Sequence, residues 1–246
     1  MGGCVPVDLP NLGSLDDVWH RVTGAQPDPS RNLVLAVGAA ALLVVLWRPA
    51  WRIARNTVTI AHEGGHAAVA LLCGRRLSGV RLHHDTSGVT VSYGKPRGPG
   101  MVFTVAAGYV TPSLMGLGGA WLLAAKHITM LLWISVVLLA VLLVSIRNFY
   151  GMLSVVLTCG AVFAASWTRN TDVQAGFAYL MVWFLLLAGV KPVIELSRTR
   201  ARTGARDSDA DQLHRLTGLP APFWLFVFAL VALGCAVAGG RWLLHV

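Results

Sequence analysis

The chain has 246 residues, 55% of them hydrophobic and 13% charged, with a mean hydropathy of +0.64. A soluble domain is typically about 25% charged, so the composition excludes an ordinary soluble globular protein and points to a multi-span membrane protein. The net charge of +9 comes mainly from dispersed arginines with no nucleic-acid-binding module around them, which reads as loop charge set against anionic lipid and not as a nucleic-acid surface.

Residues 1–30 are polar and rich in Pro and Gly. They are expected to form a tail outside the membrane, with an amphipathic turn near Leu15 to Val22. Asp8, Asp16 and Asp17, and the lack of a basic start followed by an apolar core, argue against a cleavable signal peptide. Cys4, Cys73, Cys159 and Cys235 are scattered, three of them in apolar runs. They read as small buried hydrophobes, not as a disulfide framework or a CxxC zinc site.

Residues 31–246 are expected to form one integral membrane domain. Its first span is Leu33 to Trp47, flanked by Arg31, Arg48 and Arg52. A helix from about Asn56 to Cys73 follows, slightly short for a crossing of about 20 residues. Leu77 to His83 and Gly88 to Tyr93 then alternate apolar and polar residues around His84-Asp-Thr-Ser-Gly88, which predicts a β-hairpin. Further spans are expected at Met101–Ala125, Ile128–Ile146, Met152–Trp167, Val173–Leu196 and Pro222–Gly240. Ser197–Thr217 reads as a polar loop. The fold expected is an all-α membrane bundle of about seven spans with one small hairpin next to the site described below. Trp47, Trp51, Trp167, Trp224 and Trp242, near span ends, suit interfacial anchors.

The chemistry sits in His62-Glu63-Gly64-Gly65-His66, an HExxH pattern inside an apolar run. On a helix, residues i and i+4 lie one turn apart on the same face. Both imidazoles can therefore reach one metal ion while Glu63 reaches a water on it. Neutral imidazole is a good zinc ligand, zinc brings a bound water's pKa to about 7, and a carboxylate can take that water's proton. The chain has only two glutamates, Glu63 and Glu195, and ionisable residues within a span are costly and usually functional.

A catalytic zinc usually has three protein ligands, and two residues are candidates for the third. Asn148, in Arg147-Asn148-Phe-Tyr-Gly151, interrupts a long apolar stretch; its other reading is a turn residue. Asp209, in Asp207-Ser-Asp-Ala-Asp211, offers the better ligand chemistry; its other reading is a helix cap. The sequence leaves both open.

The Arg-rich segment 197–217 is expected on the cytoplasmic side. Counting back through the spans puts 168–172 outside, Arg147-Asn148 inside, Lys126-His127 outside and the hairpin inside. The site then faces the cytoplasm, but Arg48 and Arg52 fall outside, against the positive-inside rule.

The chain resembles the site-2 protease family of intramembrane zinc metallopeptidases, in its bacterial membrane branch. The residues that carry the resemblance are His62 to His66, Gly74-Arg-Arg-Leu-Ser-Gly-Val-Arg-Leu82, Ala106-Ala-Gly-Tyr-Val-Thr-Pro112, Arg147 to Gly151 and Ser208 to Leu213. It implies one zinc per chain held by His62 and His66, Glu63 as general base, and a hairpin that receives substrate along Val89, Val91 and Tyr93. It also implies that Ala107-Gly108 opens the third core helix. The partners implied are a membrane-protein substrate and the lipid bilayer, in a bacterial plasma membrane; no oligomeric state is implied. The family's usual third ligand is the Asp of an Asp-Gly pair. This chain has no Asp-Gly pair, and Asn148, 86 residues after His62, stands about where that Asp would fall. That departure keeps a second expectation in play, a catalytically inactive relative that binds membrane partners. A transporter using His62, Glu63 and His66 as an ion path is disfavoured, because the other spans are nearly free of ionisable residues.

Overall fold

The structure is a computed structural model and describes residues 19, 22–168, 170–204 and 207–245. Cys4 and most of the turn expected at Leu15 to Val22 lie outside those residues. From Arg31 the described elements are α1 (Arg31–Leu46), α2 (Arg48–Leu72), β1 (Arg76–Leu82), β2 (Gly88–Tyr93), α3 (Pro99–Ala124), α4 (Ile128–Ser145), α5 (Phe149–Trp167), α6 (Thr171–Ala188), α7 (Val190–Thr203), α8 (Asp209–Thr217) and α9 (Ala221–Leu244).

Five stretches are long and apolar enough to cross a bilayer: α3, α4, α5, α6 with α7, and α9. A sixth is reached if α1 and α2 count as one broken span. The expected seven counted those two separately, and the chemistry of one carbonyl explains the difference. Pro49 has no N–H, so the helix cannot continue by bonding to the Val45 carbonyl. Trp47, between the two helices, is extended, with φ −79° and ψ 114°. The Lys191 ammonium of α7 donates to the Val45 carbonyl instead. The chain bends by 99° at this point, and α2 starts at Arg48, eight residues before the expected Asn56.

The bend also removes the conflict over Arg48 and Arg52. With Arg55, they line a cleft against His84, Asp85 and Thr86 of the hairpin turn, where the Thr59 hydroxyl donates to the Thr86 carbonyl at 2.8 Å. They lie at the hairpin end of the bundle, not at the opposite end as the span count required. Trp51 Nε1 donates to Glu195 Oε1 at 2.8 Å, Arg55 pairs with Glu195 at 3.7 Å, and Lys191 lies 4.5 Å from the Trp51 ring centre. These contacts fix the start of α2 to α7.

The opposite end is tied by amides. Gln26 donates to Gln174 Oε1 at 3.2 Å and accepts from the Thr129 N–H at 2.8 Å; Gln174 in turn donates to the Ser166 and Thr168 carbonyls. Between the two ends, Val34, Leu123, Leu132, Tyr179, Leu186 and Leu243 from α1, α3, α4, α6 and α9 form the largest buried cluster.

The hairpin is antiparallel, with Leu82 opposite Gly88 and Val80 opposite Thr90, and an irregularity between Leu77 and Gly79. The α4–α5 corner secures the other edge of β1. The Arg147 N–H donates to the Val80 carbonyl at 2.9 Å. The Asn148 amide donates to the Leu82 carbonyl at 2.6 Å and accepts from the Leu82 N–H at 3.1 Å. Among the described residues β2 pairs with β1 alone, so its outer edge is open.

The expected loop 197–217 is largely helical. Arg198, Arg200 and Arg202 sit on α7, which is capped by Gly204 with φ +65°. Ser208 and Asp211 then form a capping box that starts α8. Arg200 donates to Asp211 Oδ2. Burial opposes the charge of Asp211, but the hydrogen bonds from Arg200 and Ser208 outweigh it and hold this carboxyl below its usual range. Ala210 and Leu213 of α8 pack into a buried cluster with Val105, Val193 and Phe228.

Two outcomes follow from these contacts. Asn148→Ala strands two backbone groups of buried Leu82 and should lower stability by about 1–3 kcal/mol, with faster amide exchange at Leu82 measured by mass spectrometry. The folded pKa of Asp211 is depressed, so its contribution is complete above its unfolded pKa of about 4 and is lost as pH falls through the folded value. Thermal melts should therefore show Arg200→Gln losing about 1–3 kcal/mol at neutral pH and losing less than wild type on acidification below about pH 4.

Candidate metal centre

The middle of α2 carries the HExxH residues, and its contact with α3 shapes the site. Two consecutive glycines cost a helix about 1 kcal/mol each relative to alanine, but Gly65 lets α3 come close: an added Cβ there would lie 2.6 Å from Thr111 Cβ. Gly108 of α3 faces the imidazoles, and an added Cβ would lie 2.5 Å from His66 Cε1 and 2.6 Å from His62 Cε1. The two histidines occupy the space that a side chain at Gly108 would need.

His66 Nδ1 is 2.7 Å from the Thr104 carbonyl. A carbonyl only accepts, so Nδ1 carries a proton and Nε2 is the ring atom turned toward the site. A histidine ligand is commonly oriented in this way. His66 Nε2 lies 3.1 Å from His62 Nε2. Asp209 Oδ2, at the first position of α8, lies 3.2 Å from His62 Nε2 and 3.4 Å from His66 Nε2. Burial disfavours the charge of Asp209, but the two imidazoles hold its carboxyl well below the usual carboxylate range.

These separations test the fit of a metal. Three N or O ligands at about 2.0–2.1 Å from a tetrahedral zinc stand roughly 3.3 Å apart. The three observed separations, 3.1, 3.2 and 3.4 Å, match that triangle. The donor set of two imidazoles and one carboxylate also suits zinc.

Glu63 is buried at 4% exposure, and a carboxylate oxygen lies within 4.8 Å of both imidazoles. The Thr90 hydroxyl donates to Glu63 Oε2 at 2.6 Å. Tyr109 sets its ring edge-on to His62, with centroids 4.9 Å apart, and stacks on Phe228 of α9 at 5.0 Å. A cavity of about 1730 Å³ opens onto His62, Glu63, His66 and Asp209 and is walled on one side by β2.

Of the sequence candidates, the structure brings together His62, Glu63, His66 and Asp209. It does not bring Asn148 to them: both ends of that amide are used on Leu82. The polar interruption at Arg147-Asn148 is a docking corner for β1. Val89, Val91 and Tyr93 project from β2 with 48%, 42% and 65% exposure. Thr90, Thr104 and Tyr109 were not singled out from the sequence. Thr90 had a signal, since it is the inward residue between two outward valines of a strand beside the motif. Thr104 acts through its backbone carbonyl, which no residue type reveals.

No curated protein and no solved structure matches the chain. A family model described as Peptidase M50B-like matches residues 35–239, from α1 through nearly all of α9. The chain belongs to the Peptidase M50B-like family, a membrane metallopeptidase family of the site-2 protease type.

Proposed function

We propose that the chain is an intramembrane zinc metalloendopeptidase that cleaves a transmembrane or membrane-proximal segment of a partner protein. The observation that carries this reading is the triangle of His62 Nε2, His66 Nε2 and Asp209 Oδ2 beside buried Glu63. His62, His66 and Asp209 hold one zinc per chain, and residues 31–246 form the catalytic membrane domain behind the tail at 1–30. Zinc, when bound, supplies Lewis acidity to the scissile carbonyl and a more acidic water.

The chain's own residues do the rest. Glu63 takes the proton of the attacking water and passes it to the leaving amine. His66 Nδ1–H keeps donating to the Thr104 carbonyl, which holds the ring in orientation. Substrate segments in a bilayer are helical, because unpaired backbone groups are costly there, and cleavage requires an extended stretch. The open edge of β2 suits such a stretch, pairing with its backbone while Val89, Val91 and Tyr93 meet its side chains. Arg48, Arg52, Arg55 and Arg147 stand at the hairpin end, and Arg198 and Arg202 line the cavity beside it, which supports that end as cytoplasmic. The large excess of Arg over Lys suits a GC-rich bacterial genome, and the plasma membrane is the site of action.

Metal content by plasma mass spectrometry on detergent-purified protein tests the site. About one zinc per chain is expected for wild type, Glu63→Gln and Asn148→Ala, with loss in His62→Ala and Asp209→Ala. Fluorescein-labelled casein, an unfolded chain, tests the reaction: Glu63→Gln should cleave it at least roughly a hundredfold more slowly than wild type. Wild type that takes up no zinc after reloading would overturn the peptidase reading in favour of a non-catalytic membrane-binding protein. On the hairpin, Val91→Asp should raise KM for casein several-fold and leave zinc content unchanged.

A further inference from the structure

The proposed reaction leaves one geometric demand unmet by the metal ligands. A general base must present a carboxylate oxygen in one orientation, within hydrogen-bond reach of its proton. The Glu63 side chain has three rotatable bonds, and holding it still takes a partner from outside α2.

That partner is β2, which contacts Glu63 at two points. Thr90 Oγ1 donates to Glu63 Oε2 at 2.6 Å and lies 3.2 Å from Glu63's own main-chain carbonyl. Two residues earlier on the strand, Gly88 has its bare Cα against the side chain: an added Cβ would lie 2.6 Å from Glu63 Oε1 and 2.7 Å from Cδ. Residues two apart on a strand point to the same face, so Gly88 and Thr90 act on Glu63 together. Thr90 uses one oxygen, and Gly88 makes room for the other. The register places Gly88 opposite Leu82, whose main chain Asn148 holds through both amide atoms. The clamp therefore has a fixed backing, from the α4–α5 corner through β1 to β2.

We propose that Thr90 is a positioning residue for the reaction, fixing the Glu63 carboxylate through its hydroxyl, with Gly88 as the gap that admits the carboxylate. The inference rests on the peptidase reading for its catalytic consequence, but the hydrogen bond itself can be tested without it. Thr90→Val keeps the shape and β-branching of the residue and removes the donor. Thr90→Ser keeps the donor. Gly88→Ala closes the gap.

The composition supplies a clean probe. The chain contains two glutamates, Glu63 and Glu195. Glu195 accepts from the Trp51 indole, which the amide oxygen of Glu195→Gln also does. Carbon-13 glutamate incorporated into Glu195→Gln protein therefore labels Glu63 alone, and its carboxylate stretch can be read by isotope-edited infrared spectroscopy on metal-free protein. The band should shift in Thr90→Val and return to its original position in Thr90→Ser. On zinc-loaded protein, Thr90→Val and Gly88→Ala should each lose roughly tenfold to a hundredfold in kcat for labelled casein, the weight of one hydrogen bond to a charged group. KM and zinc content should be unchanged, and Thr90→Ser should regain most of the rate.

An unmoved band in Thr90→Val overturns the proposal. So does a moved band with wild-type kcat, or an equal loss of kcat in Thr90→Ser and Thr90→Val. If wild type and Glu63→Gln are equally inert toward casein, the peptidase reading fails, and the infrared band still decides whether Thr90 holds Glu63.

Discussion

Much of the structure depends on how closely α2 approaches α3. Inside a bilayer, helices gain little from apolar burial, because lipid is as apolar as a leucine side chain; packing and hydrogen bonds must hold them together. Here the missing side chains at Gly65 and Gly108 allow the approach. The same closeness brings the Thr104 carbonyl to His66 and leaves both Nε2 atoms facing Asp209. A bulkier residue at Gly108 would separate the helices and the two imidazoles in one step.

The hairpin is a second layer on that contact. It is short, and a two-stranded hairpin is marginal by itself in water. Its order comes from neighbours: Asn148 and Arg147 on β1, Thr59 on the turn, and Arg75, which donates to Ser92 Oγ at 3.0 Å and to the Lys95 carbonyl at 2.6 Å. This arrangement leaves one strand edge open beside the cavity. An open edge is usually blunted in soluble proteins because it invites pairing; here the invitation agrees with a peptidase that takes extended substrates.

The sequence revealed whatever depends on residue type at short spacing. The i, i+4 histidines, the alternation of the hairpin and the long apolar runs of α3, α4, α5 and α9 were all legible, with ends close to those observed. Features set by long-range contacts were not. Leu33 to Leu72 reads as two crossings until the Val45 carbonyl is placed opposite Lys191, 146 residues away in sequence. Arg198 to Arg202 read as loop, although a helix can carry such a stripe when its other face packs on neighbours and Asp211 pairs with one of its arginines. Asn148 and Asp209 were equal contenders because each has a plausible local role. Asn148 stands at the α4–α5 corner, but its amide serves a distant partner, the main chain of Leu82. For Asp209 the cap belongs to Ser208, and the Asp209 side chain is free to point at the histidines.

Asp209 sits on a short helix that follows the long α6–α7 run, while His62 and His66 belong to the helix that the hairpin covers. An ion held by all three ties the chain into a single large loop, as a disulfide would. Loop-closure entropy grows slowly with loop length and is large for long loops, so such an ion would restrain most of the chain against unfolding. Losing that ion and undocking α8 would then be two descriptions of one opening.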